Sequence, residues 1–186
     1  MFKGYLFTAL ILTLIIPSIG IVMGMVRAVI NRVLSLISPQ LSFFICNYIT
    51  FPGVILHELS HAAFGFITGA KIKKVTLFRP NGSTLGSVEM IYRGPWLVRC
   101  IQTCFSSCAP VVGGMVACLI LYSFIIPNIT VFYIGVIVYY LFFSIIMHMT
   151  MSMMDIKCFG KGVVGVYLII SIICVVTKFD LFIILN

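Results

Sequence analysis

Charge is what this chain has least of. Only 9% of its 186 residues are charged, and only four are acidic: Glu58, Glu89, Asp155 and Asp180. A soluble domain carries roughly 25% charged residues. With 62% hydrophobic residues and a mean hydropathy of +1.23, too little polar material remains for a water-facing surface. The solvent this implies is lipid. The chain also has no CxxC pair, no internal repeat and no low-complexity tail. Without CxxC, its seven cysteines read as small hydrophobes in apolar surroundings. Cys100, Cys104 and Cys108 do share one helix face, a weak pointer to a soft metal. The missing repeat counts against a transporter built from paired halves.

What is present begins with a net charge of +8. The basic residues flank apolar stretches and form no aromatic-studded groove, so they record membrane topology rather than nucleic-acid binding. Five apolar stretches are long enough to span a bilayer. The first, Gly4 to Val26 behind Lys3, is too long for a signal peptide and lacks an A-x-A-like cleavage site. Its Gly20 and Gly24 form a GxxxG packing motif. Arg27 and Arg32 follow in a short link, and the stretch from Val33 to Gln40 lies along the interface. The second span, Leu41 to Thr68, kinks at Pro52–Gly53 and ends at Gly69. KIKKVTLF and STLGSVEMIY are rich in β-branched residues, and PNGS between them signals a turn. The segment Ala70 to Trp96 is therefore a β-hairpin. Open sheet edges do not survive in lipid, so the hairpin lies at the surface or against protein. The third span runs from Val98 to Ile126 with a bend near Pro110, and the fourth from Ile129 to Thr150. A loop with Asp155, Lys157 and Lys161 leads to the fifth, Gly162 to Val176. The expected fold is a single α-helical polytopic membrane domain over residues 1–186, with a β-hairpin between the second and third spans.

Five spans put the amino terminus, the hairpin and the Asp155 loop on one side. That side collects all but three of the twelve basic residues, the exceptions being Arg27, Arg32 and Lys178. The positive-inside rule makes it cytoplasmic and puts the carboxyl terminus outside. HELSH, residues 57–61, then lies toward the cytoplasmic end of its span, at a depth that Asp155 can reach.

Ionisable groups inside an apolar helix are costly and mark function. On a helix, His57 and His61 project from one face, so both imidazoles can reach one zinc ion. Glu58 is turned off that pair by one residue. Zinc brings a bound water to a pKa of about 7, and Glu58 is placed as general base for attack on a peptide carbonyl. A third ligand is needed. Asp180 falls on the opposite side and Glu89 reads as a surface charge. Asp155 is best placed, its other reading being a loop acid or a helix cap. His148 is a further candidate, either as ligand or as donor to the substrate oxyanion.

The stretch FPGVILHELSHAAFGFITGAKI resembles the first core helix of the site-2 protease group of intramembrane zinc metalloproteases, the M50 clan. Gly69 stands eight positions after His61, as in that group. The resemblance implies a following hairpin, a second core helix and a third core region with an aspartate ligand in an N-x-x-P-x-x-x-L-D-G pattern. It covers roughly Leu41 to Gly162 and puts Asp155 at the aspartate. Met154–Asp155–Ile156 replaces the LDG, the preceding prolines are missing, and His148 stands near the asparagine. No PDZ module fits in this length.

The expectation is an intramembrane zinc metalloprotease that cuts a membrane-embedded or membrane-associated protein near the cytoplasmic face. His57, His61 and Asp155 hold zinc, Glu58 is general base, His148 contacts the substrate, and the hairpin adds a substrate strand. The partners are a membrane protein or peptide and the bilayer, with no nucleic acid. Two other classes are a non-catalytic metal-binding homologue, in which Glu58→Gln is silent, and a small transport or interaction protein without stoichiometric metal.

Overall fold

The structure, a computed structural model, describes residues 2–79 and 85–181. Its elements are α1 (Phe2–Ile37), α2 (Pro39–Phe44), a π-helical turn (Ile45–Ile49), α3 (Phe51–Ile67), β1 (Lys71–Thr76), β2 (Ser87–Ile91), α4 (Trp96–Ile120), α5 (Phe132–His148) and α6 (Met153–Thr177). A second π turn and a 3-10 turn extend α4 to Asn128. Phe2–Ile37, Trp96–Asn128 and Met153–Thr177 are each long and apolar enough to cross a membrane. Pro39–Ile49 and Phe51–Ile67 make a fourth such unit if taken together, with a 50° bend between them. α5 is apolar but has only 17 residues.

The packing is that of a helical membrane protein. Side chains such as Phe132, Leu36 and Phe66 point outward, while Gln102, Thr8, Thr50 and Ser144 are among the most deeply buried. Water would reverse this arrangement. Lipid permits it, because helices in a bilayer gain by close contact between small and polar residues. α4 and α6 meet in this way: a Cβ at Gly162 or Gly165 would collide with Cys100 or Cys104.

The bend is made by several small causes. Thr50 interrupts the helix, and Pro52 brings no N–H to the first turn of α3. Ser144 of α5 bridges the break: its Oγ accepts from Gly53 N at 2.9 Å and donates to Thr50 O at 2.9 Å. A Cβ on Gly53 would strike the Ser144 carbonyl, so only glycine lets α5 approach so closely. Gly69, at φ +79°, then closes α3.

β1 and β2 pair antiparallel, with Val75 opposite Val88. The hairpin expected from sequence is there, while its PNGS turn lies outside the described residues. After β1 the chain folds along α3, where Phe78 packs on Phe51 and Tyr48 at ring separations of 5.7 and 6.5 Å.

Three sequence expectations are corrected. α1 does not stop at Val26, so Arg27 and Arg32 lie within the helix and not in a link. Asp155 is in the first turn of α6, not in a loop. Ser152 and Asp155 form a capping box that starts this helix well before Gly162. Finally, the two ends of the described chain meet. Tyr5 and Ala9 pack on Cys174, and Thr8 Oγ1 bonds Asp180 Oδ1 at 3.4 Å. α6 therefore runs antiparallel to α1, with Met151 N reaching Gly20 O at its other end. Five full crossings would have made these helices parallel. The short 149–152 link does not fold α6 back onto α5; the two helices hardly touch.

Candidate metal centre

His57 and His61 stand one turn apart on α3, and Asp155 reaches them from the start of α6. One ligand atom from each lies within 4.8 Å of the others. The Nε2 atoms of the two histidines are 3.2 Å apart, and His61 Nε2 is 3.4 Å from Asp155 Oδ1.

The protons on these rings follow from their other contacts. His57 Nδ1 lies 2.9 Å from the carbonyl oxygen of His148, and His61 Nδ1 lies 2.7 Å from that of Ser106. A carbonyl can only accept, so each Nδ1 carries the hydrogen and donates it. In a neutral ring that leaves Nε2 with a bare lone pair. Two lone pairs and a carboxylate oxygen thus face one another with no donor between them. A cation resolves this conflict, and two imidazoles with one carboxylate are a donor set suited to zinc. The residues present fit such an ion.

Both acceptor carbonyls are products of helix interruptions. In a regular helix, Ser106 O would bond the N–H of residue 110. That residue is Pro110, which has none. His148 is the last residue of α5, so its carbonyl is one of the orphans of a helix end. The N–H of Ser152 turns instead to Asp155 Oδ2 at 2.8 Å. That bond aims Oδ1 at His61. Every candidate ligand is oriented by a main-chain group, the kind of outer support that fixes tautomer and ring angle in metal sites.

Pro110→Ala is therefore expected to weaken zinc binding by about tenfold. The restored N–H would compete with His61 for the Ser106 carbonyl, while the helix itself gains. A raised melting temperature of metal-free protein alongside a raised zinc Kd would confirm this; an unchanged Kd would refute it.

Glu58 is buried beside the cluster, within a cavity of about 510 Å³. Gly86, just before β2, leans on it: a Cβ there would lie 2.8 Å from Glu58 Oε1. The hairpin thus closes one side of the cavity. Another hollow, about 530 Å³ along α1, is lined by apolar side chains and Ser18 and holds no titratable group.

His148 lines the cavity without joining the three ligand atoms. Its Nδ1 lies 3.2 Å from Arg27 Nη1 and its Nε2 lies 2.9 Å from Thr50 Oγ1. Both ring nitrogens are engaged, and the residue supports His57 through its carbonyl. Glu89 lies on β2 opposite Lys74, and Asp180 sits by Thr8. Cys104 Sγ donates to Phe159 O at 3.6 Å, and Cys100, Cys104 and Cys108 are buried packing residues on the side of α4 that meets α6.

Sequence reasoning missed Arg27, Tyr92 and Gln102. Tyr92 lines the cavity, and burial pushes its phenol above its ordinary value. It stays protonated near neutrality and keeps an O–H to donate. Gln102 receives Arg93 N at 2.9 Å and donates to Thr68 O at 3.1 Å, pinning the hairpin exit to the end of α3. A buried glutamine in an apolar helix was the available signal. Comparisons with protein-family models, curated proteins and solved structures return no match to this chain.

Proposed function

We propose that the protein is an intramembrane zinc metalloprotease that cleaves a membrane-embedded or membrane-associated polypeptide. The reading rests on one observation: three lone-pair atoms converge without a donor among them, beside a buried glutamate in a shared cavity. His57, His61 and Asp155 would hold the ion. Zinc, when bound, supplies a water of pKa about 7 and a Lewis acid for the carbonyl. Glu58 takes a proton on its carboxylate and returns it to the departing amine. Tyr92 offers an O–H to the carbonyl oxygen as charge develops there. His148 is a positioning residue, through His57. The two-stranded sheet leaves an outer edge along which an extended substrate can pair.

We read four traverses: α1, α2 with α3, α4, and α5 with α6. Both ends of the described chain then share a face with Lys3, Lys178 and the hairpin lysines. The positive-inside rule makes that face cytoplasmic. The location is the cell membrane.

The test is metal content and turnover of detergent-purified protein. About one zinc per chain is expected, with cleavage of an apolar model peptide that a chelator stops and added zinc restores. Zinc without cleavage would point to a non-catalytic metal protein. A folded chain without zinc would sink the reading.

A further inference from the structure

Arg27 is a cation in an apolar helix, flanked by Val26 and Ala28. It turns its guanidinium into the cavity that holds His57, Glu58 and Asp155. Nη1 contacts His148 Nδ1 at 3.2 Å, and Nη2 donates to Cys46 O at 3.5 Å. A guanidinium has five N–H donors and no acceptor. These two bonds leave donors over, and the second is at the limit of hydrogen-bond range. Among the described residues no carboxylate pairs with it.

The guanidinium is nonetheless held firmly on one side. Because Arg27 donates to His148 Nδ1, the ring carries its hydrogen on Nε2 and donates to Thr50 Oγ1. Thr50 in turn donates to Cys46 O at 2.8 Å. A braced, unpaired cation in an apolar span is expensive unless something negative meets it. The cavity is the place where something can.

We propose that Arg27 forms a subsite for a substrate carboxylate, beside the bond that is cut. The proposal rests on the peptidase reading of the same cavity. A planar fork grips a carboxylate through two parallel hydrogen bonds. Only the width of His148 separates it from His57, since His148 bonds Arg27 by its ring and His57 by its carbonyl. An extended peptide advances about 3.3 Å per residue, so the carboxylate falls within roughly two residues of the scissile bond. It is either the free carboxyl terminus of a chain or an acidic side chain.

The test uses full-length, zinc-loaded protein carrying Glu58→Gln, so that bound peptide stays intact. The probes are fluorescent apolar octapeptides in matched pairs. One pair differs in glutamate against glutamine, the other in a free against an amidated carboxyl terminus. At least one carboxylate form is expected to bind tenfold or more tighter than its neutral twin. Adding Arg27→Gln should erase that preference, and Arg27→Lys should retain part of it, with zinc content unchanged in both. A mere brace for His148 would weaken all peptides alike. The pair that responds tells a terminal from a side-chain carboxylate. Equal binding of the twins with Arg27 intact, or a preference that survives Arg27→Gln, overturns the subsite. If the preference holds but protein with Glu58 restored cuts none of the peptides, the subsite stands and the peptidase reading falls.

Discussion

Glu58→Gln is expected to lower peptide hydrolysis by about a thousandfold while leaving the bound metal in place. The substitution changes little in shape. Glutamine has the volume of glutamate and fits the same space beside Gly86. It cannot take up a proton. Positioned acid–base groups contribute roughly 10²–10⁴ to rate, and in the proposed reaction one carboxylate serves both proton transfers, so the loss falls in the upper part of that range. Because Glu58 is turned off the ligand face by one residue, zinc should remain at about one per chain. The decisive measurement is kcat/KM on a model peptide together with metal analysis of the same preparation. A loss in kcat at unchanged KM identifies a group that acts in the transition state. Activity within tenfold of the wild type would mean that the base lies elsewhere.

Asp155→Asn should cost at least a hundredfold in zinc affinity, and Asp155→Ala should cost stability as well. Asp155 has two tasks on two oxygens. Oδ1 faces His61 at 3.4 Å, and Oδ2 accepts from Ser152 N at 2.8 Å. Asparagine keeps an acceptor for the Ser152 N–H, so the start of α6 survives while the anionic ligand is lost. Alanine removes both, adding roughly 1 kcal/mol for the lost cap. Competition against a chelator of known affinity reads the metal, and thermal unfolding of metal-free protein reads the cap. Unimpaired zinc binding in Asp155→Asn would transfer the third ligand to another group. His148 could take the place only by giving up Arg27 or Thr50.

The histidine pair, the bend at Pro52 and the hairpin were legible in the sequence. Each rests on local spacing or on a single residue with a strong backbone preference. The path of α6 was not. Apolar runs give the length of a span but not its direction after a short link, and it is the contacts of α6 with α1, such as Thr8 with Asp180 and Met151 with Gly20, that show the turn that was not made. Arg27 was misread for a related reason. Charge was taken as the end of a helix, although a cation can sit within one when it faces a cavity. The capping box was written in Ser152 and Asp155 all along, but the cap was weighed as an alternative to the ligand, although one carboxylate offers an oxygen to each.

The dependence of His61 on a main-chain oxygen sets how this site can be broken by mutation. No missense change at Ser106 deletes the acceptor, since every residue brings a carbonyl. At position 110 the situation is reversed: any amino acid other than proline returns the N–H that competes for it. A saturation screen for lost activity should therefore find an apparently inert proline, a turn away from the residue whose oxygen matters, more intolerant than that residue itself.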